Sequence, residues 1–182
     1  MTRIQPNNTP DAKSQEMLAG INKAFGMVPN VFKTLAHSSA ALNFYMSGAG
    51  ALSVTKISPE LREQLAVAVA GLNSCDYCAS AHTVLGKMQK ISESEIALNL
   101  QCKSTDLKTQ AALTFARKIV NLRGHVADGD VQAIRKAGYS DGEIVEIIAV
   151  VAQNIFTNYF NHITGAVNDF PLVRTPRIEV EV

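Results

Sequence analysis

The amino-acid sequence predicts an all-α protein, on three observations. The six prolines stand at positions 6, 10, 29, 59, 171 and 176, so Glu60 to Phe170 is free of the residue that breaks helices. Helix start and stop signals recur at short intervals within that stretch. Val, Ile and Thr almost never alternate with polar residues at the period of two that a half-buried strand requires.

The elements follow in chain order. A first helix is expected from Thr9 as N-cap and Pro10 at the first helical position, with Met17, Leu18 and Ile21 inward and a stop near Gly26. Asn30 to Leu52 forms a second helical segment, apolar around Val31, Phe32, Leu35, Leu42, Phe44 and Tyr45, its end weakened by Gly48 and Gly50. Ser58-Pro59-Glu60 opens the next helix, where Glu60 and Glu63 suit a positive N-terminus, and Gly71 ends it. Ser74 then caps a further helix, with Cys75 and Asp76 in its first turn. Ser92 to Glu95 reads as a capping box, Thr105-Asp106 caps a longer helix ending at Gly124, and Gly138 closes a short one. Ser140 with Glu143 is a second capping box, opening a helix so apolar from Ile144 to Ile155 that it belongs at the centre. From Pro171 an extended tail, 171–182, is expected to lie on a neighbouring subunit.

A repeat of a helical hairpin is suggested at an offset of 83 residues. Glu60, Glu63, Ala66 and Val67 recur as Glu143, Glu146, Ala149 and Val150, Gly71 is matched by Asn154, and the cysteines of the first copy by Asn158 and Asn161.

With 182 residues, one domain over 1–182 is expected. Hydrophobic residues make up 47% and charged residues 18%, below the roughly 25% of an average soluble domain. The apolar excess is therefore expected to be covered by other subunits. A net charge of +1 without a basic block excludes a nucleic-acid partner. With no apolar signal core at the N-terminus and no run of 18 apolar residues, no membrane partner is expected and the protein reads as cytoplasmic. Three cysteines, two of them clustered, point to reactive or metal-binding thiols in a reducing compartment rather than a disulfide scaffold.

The cluster that carries chemistry is Glu63, then Cys75-Asp76-Tyr77-Cys78-Ala79-Ser80-Ala81-His82. At about 100° per residue, Cys75, Cys78 and His82 fall within roughly 60° of one another on one helical face. Glu63 would stand about 18 Å from Cys75 on a continuous helix. A break between Gly71 and Ser74 folds the chain into an antiparallel hairpin instead, setting Glu63 level with His82 and a turn from Cys78. That arrangement suits thiol redox chemistry: a thiolate is stabilised by a helix N-terminus or an imidazole, and a second thiol within reach closes a disulfide. His82 can take the proton of Cys78, and Glu63 can orient or charge His82. Helix position favours Cys75 as the more acidic thiol, whereas the Glu63/His82 pair favours Cys78. Cys102 has no partner in sequence and reads as a bystander, His37, His125 and His162 as structural or surface residues, and Glu146 as a hydrogen-bonded carboxylate. A zinc site built from Cys75, Cys78 and His82 with Cys102 or His125 lacks the second tight ligand pair that structural zinc takes. A thioredoxin fold would need strand-helix alternation that this chain lacks.

Glu63, eleven intervening residues, Cys75-x-x-Cys78 and x-x-x-His82 in an all-helical chain resemble the AhpD-type alkylhydroperoxidase branch of the carboxymuconolactone decarboxylase family, and Gly71 to His82 resembles its peroxidase-related subgroup. The core likeness covers about 46–89; Tyr159 to His162 and Asp169 to Pro171 extend it more weakly. The resemblance implies an AhpD-like helical bundle, assembled as a homotrimer or homohexamer, that reduces organic hydroperoxides. In it Cys78 would attack the peroxide, Cys75 would resolve the sulfenic acid, and Glu63 and His82 would relay protons. It implies no cofactor and no metal, and a lipoyl- or thioredoxin-like dithiol as electron donor. Tyr77 departs from the histidine that precedes the second cysteine in the best-known hydroperoxidases of the family. The alternatives are a decarboxylase-type lyase, whose family members lack the cysteine pair, and a redox-sensing or zinc-holding module without turnover.

Overall fold

The structure, a computed structural model, describes residues 2–176. Among them the chain forms nine α-helices and no strand. α1 (Ala12–Phe25), α2 (Asn30–Leu35) and α3 (Ser39–Leu52) precede a central pair, α4 (Pro59–Leu72) and α5 (Asp76–Met88). α6 (Glu93–Asn99), α7 (Leu107–Asn121) and α8 (Asp128–Lys136) lead to the long α9 (Asp141–Thr164).

α4 is the hub, packing against α5, α6, α7 and α9. Its residues Leu65 to Ala70 are at most 1% exposed, as a helix apolar on every side requires. Around it lie two cores. Leu61, Leu65, Val69, Leu113, Phe115, Ile147 and Val151 fill one; Ile21, Phe32, Leu35, Leu42, Cys75, Tyr77 and Cys78 fill the other. The apolar run of α9 is central as expected, since α9 meets α3, α4, α5 and α7. Its capping box is present in both directions.

Several local expectations are corrected. α1 begins two residues late: Asp11 Oδ1 accepts from the Ser14 N–H at 2.7 Å and is the cap, while the Thr9 N–H is taken by Asn7 Oδ1 at 3.0 Å. The segment 30–52 is two helices, because Ser38 caps α3 and the corner before it is tied to the N-terminal arm, Asn7 Nδ2 to Ala36 O at 3.0 Å and His37 Nε2 to Gln5 O at 2.9 Å. Ser92 caps α6, but Glu95 does not reach back; it accepts from Ser104, Thr105 and Asn99 and ties α6 to the start of α7. α9 is one continuous helix of 24 residues with Asn154 in a helical conformation, so the second copy has no break and no hairpin repeat exists.

The tail is also corrected over its described part. Residues 171–176 fold back on this chain: the Val173 N–H donates to Ser80 Oγ at 2.9 Å, the Thr175 N–H to Asp76 Oδ1 at 2.9 Å, and Arg174 pairs with Asp76 at 2.9 Å. Residues 177–182 lie outside the described residues. No described helix is long and apolar enough to cross a membrane.

Candidate functional site

The site is made by the turn between α4 and α5. α4 continues through Gly71 to Leu72, and Ser74 takes the left-handed backbone that reverses the chain, at φ 53°. Gly71 does not stop the helix. A Cβ there would stand 2.1 Å from Leu100 O, so the glycine admits the close crossing of the segment after α6. Cys75, rather than Ser74, occupies the cap position of α5, and Asp76 is its first helical residue.

The reversal brings Glu63 to His82. His82 Nδ1 and Glu63 Oε2 are 2.8 Å apart, their side chains 19% and 20% exposed. Burial works against the imidazolium, but the adjacent carboxylate outweighs it, and the Cys78 charge adds to the effect, so the His82 pKa rises above its ordinary value. His82 lies one helical turn beyond Cys78.

Cys75 and Cys78 are both reduced and buried, at 2% and 3% exposed. The surroundings shift the two thiols in opposite directions. The neighbouring Cys75 thiol is the largest influence lowering the Cys78 pKa; burial opposes this, and His82, Asn161 and Asn158 add to the lowering, so the thiolate is favoured. Cys75 is pushed far in the opposite direction by Cys78, with burial adding. Of the two thiols it is Cys78, the one beside His82, whose thiolate form is favoured. Cys102 is in the other core, its thiol pushed up to about 11 by burial, away from the pair.

Two residues at the thiolate carried no assigned role in the sequence. Asn161 Nδ2 donates to Cys78 Sγ at 3.2 Å, and Asn158 Oδ1 accepts from Asn73 Nδ2 at 2.9 Å. They belong to a row on the buried face of α9, Asn154, Thr157, Asn158, Asn161 and Thr164. The signal was present as amides at helical spacing in an apolar helix, set opposite the cysteines by the same offset of 83.

Tyr77 points away from the relay. Its hydroxyl donates to Asp169 Oδ2 at 2.6 Å and accepts from the Val31 N–H at 3.3 Å, while its ring meets Phe170 edge-on at 5.9 Å. Burial first, then the bond to Asp169, raises its pKa well above the ordinary tyrosine value, so it cannot serve as a base. Glu146 accepts from the Lys56 and Ile57 N–H groups at 2.9 and 3.1 Å, tying α9 to the loop before α4. His37 and His162 hold backbone carbonyls of Gln5 and Asn73.

A pocket of about 240 Å³ opens on the relay, lined by Tyr45, Leu52, Arg62, Glu63, His82 and Gln153 among others. Burial, with the charges of Cys78 and Glu63, pushes the Tyr45 hydroxyl up to about 12. Cys75 lines a separate depression with Ser74, Asp76, Tyr77, Asn161 and His162. Among the described residues no cluster of three His, Cys, Asp or Glu side chains is arranged to hold a metal.

Residues 39–121 match the model of the carboxymuconolactone decarboxylase family. Among solved structures, the chain is similar to the alkylhydroperoxidase AhpD core of a peroxidase-related protein from Ralstonia eutropha JMP134, with a TM-score of 0.82, 23% identity, and 93% of this chain and 94% of that chain covered. A peroxidase-related protein from Silicibacter sp. TM1040 gives a TM-score of 0.80 at 23% identity, with 91% and 92% covered. The debrominase Bmp8 gives 0.77 at 19% identity, with 93% of each chain covered. No curated protein matches the chain. These likenesses establish the AhpD-like helical fold.

Proposed function

We propose that this chain, which over residues 39–121 belongs to the carboxymuconolactone decarboxylase family, is a thiol peroxidase that reduces organic hydroperoxides with the Cys75/Cys78 pair. One observation carries the reading: the Glu63–His82 pair, 2.8 Å apart, stands one helical turn from the buried Cys78 thiol, with a second buried thiol, Cys75, three residues before it.

In the first step the Cys78 thiolate attacks the terminal peroxide oxygen. The S–O bond forms, the O–O bond breaks, and the alkoxide leaving group takes a proton from His82, which Glu63 holds charged. Cys75 then attacks the Cys78 sulfur, forming the disulfide and expelling the oxygen as water with the Cys75 proton. The balance is one hydroperoxide and two thiols to one alcohol, one water and one disulfide. An external dithiol of lipoyl- or thioredoxin-like type regenerates the pair by exchange. The hydroperoxide enters by the 240 Å³ pocket, and the donor meets Cys75 from the separate depression. No cofactor or metal takes part in this scheme. A second copy of the chain covers the exposed apolar face of α9 in a trimer or hexamer.

The test is steady-state consumption of cumene hydroperoxide with dihydrolipoamide or reduced thioredoxin as donor. Turnover that Cys78→Ser abolishes supports the reading; consumption no faster than without protein overturns it. Reductive dehalogenation is the second reading, favoured by the fold likeness to a debrominase, because the same dithiol can supply two electrons to a halogenated ring. Bromide release from 2,3,4-tribromopyrrole, measured beside peroxide loss, separates the two.

A further inference from the structure

Beside Cys78 two buried polar atoms have no partner at full hydrogen-bond geometry among the described residues: Asn158 Nδ2, which is close enough to the sulfur to favour its thiolate, and Asn161 Oδ1. Both side chains are enclosed, Asn158 at 0% and Asn161 at 6% exposed. Neither amide is free to turn away. Asn158 is held through its Oδ1 by Asn73 at 2.9 Å, and Asn161 through its Nδ2 by Cys78 Sγ at 3.2 Å. An amide donor and an amide acceptor that each lack a full hydrogen bond beside one sulfur are costly in the resting state. The pair suits a hydroxyl group at this sulfur, and a sulfenic acid formed on Cys78 is one: its oxygen accepts one hydrogen bond and its O–H donates one.

We propose that Asn158 and Asn161 are positioning residues that receive the oxygen transferred to Cys78 and hold the sulfenic acid until Cys75 attacks. This rests on the peroxidase reading. When the Cys78 sulfur takes the terminal oxygen of the hydroperoxide and the alcohol departs, the new S–O group accepts from Asn158 Nδ2 and donates to Asn161 Oδ1. Keeping the group protonated and oriented has two consequences. The sulfenate anion, the form that attacks a second hydroperoxide and becomes sulfinic acid, is disfavoured. The S–O bond is directed away from Cys75, leaving the sulfur open to the resolving thiol.

The experiment uses the full chain with Cys75→Ser, so that the oxidised state of Cys78 accumulates, and compares Asn158→Val with the isosteric Asn158→Thr, which keeps a donor. Each is given one equivalent of cumene hydroperoxide, and Cys78 is followed by intact mass and by trapping with a cyclic diketone. The sulfenic acid is expected to be lost to sulfinic acid at least tenfold faster in Asn158→Val than in the parent, with Asn158→Thr within about threefold of the parent. Val and Thr change shape alike, so a packing effect moves both equally; equal lifetimes in the two variants, whether short or long, overturn the assignment. Absence of any sulfenic acid in the Cys75→Ser parent overturns the peroxidase reading, and this inference with it.

Discussion

Glu63 sits in the polar first turns of α4, beside Arg62 and Gln64, and its carboxylate is directed to His82 rather than to its own helix end. Glu63→Gln keeps the hydrogen bond and removes the charge that supports the imidazolium, and with it the Cys78 thiolate. The pH profile of Cys78 alkylation should have its midpoint below the ordinary thiol value of about 8.5 in the parent and move upward in Glu63→Gln. Peroxide turnover should fall by roughly 10²-fold or more, with the melting temperature little changed. Superimposable profiles would remove Glu63 from the relay. Tyr77 carries the opposite expectation. Tyr77→Phe leaves the Val31 N–H and Asp169 without their shared hydroxyl, so denaturant unfolding should show a loss of about 1–3 kcal/mol while turnover stays within about twofold. The sequence made Glu63, Cys75, Cys78 and His82 legible because their spacing is local to one hairpin. Asn158 and Asn161 were visible as residues but not as site members, since the contact joins positions 83 apart.

Helices revealed themselves where a side chain could close its own cap. Ser58, Asp106 and Ser140 start α4, α7 and α9 as their sequence signals require. The signals failed where a long-range bond took the capping group or the backbone. The corner between α2 and α3 is held by the arm at Gln5 and Asn7, and Glu95 is drawn to Ser104 and Thr105. Gly71 is the sharpest instance: it reads as a helix stop and is a crossing point. An alanine there would gain up to about 1 kcal/mol of helix propensity. Against that stands a Cβ placed 2.1 Å from a backbone carbonyl, which cannot rotate away. Overpacking of this kind costs about 1–3 kcal/mol or more, so Gly71→Ala should lower the melting temperature, and a rise would show that Leu100 yields.

Over the whole chain the low charge content finds its counterpart on α9. Val145 and Ile148, three residues apart, and Tyr159 and Ile163, four apart and about three turns further on, are 63%, 44%, 54% and 63% exposed, an apolar stripe on the outer side of the central helix. A second copy of the chain is the expected cover. Light scattering at micromolar concentration should give a multiple of 19.6 kDa, and Ile148→Glu should shift it toward the monomer; a parent that remains at 19.6 kDa contradicts the assembly. Within one chain the candidate site joins residues of α4, α5 and α9. Its chemistry is therefore read most directly by mixing reduced protein with one equivalent of organic hydroperoxide and counting thiols and alcohol together. The count should fall from three thiols to one per chain, with the loss confined to Cys75 and Cys78 and one alcohol formed. Three surviving thiols with the hydroperoxide intact, or a loss confined to Cys102, would contradict it.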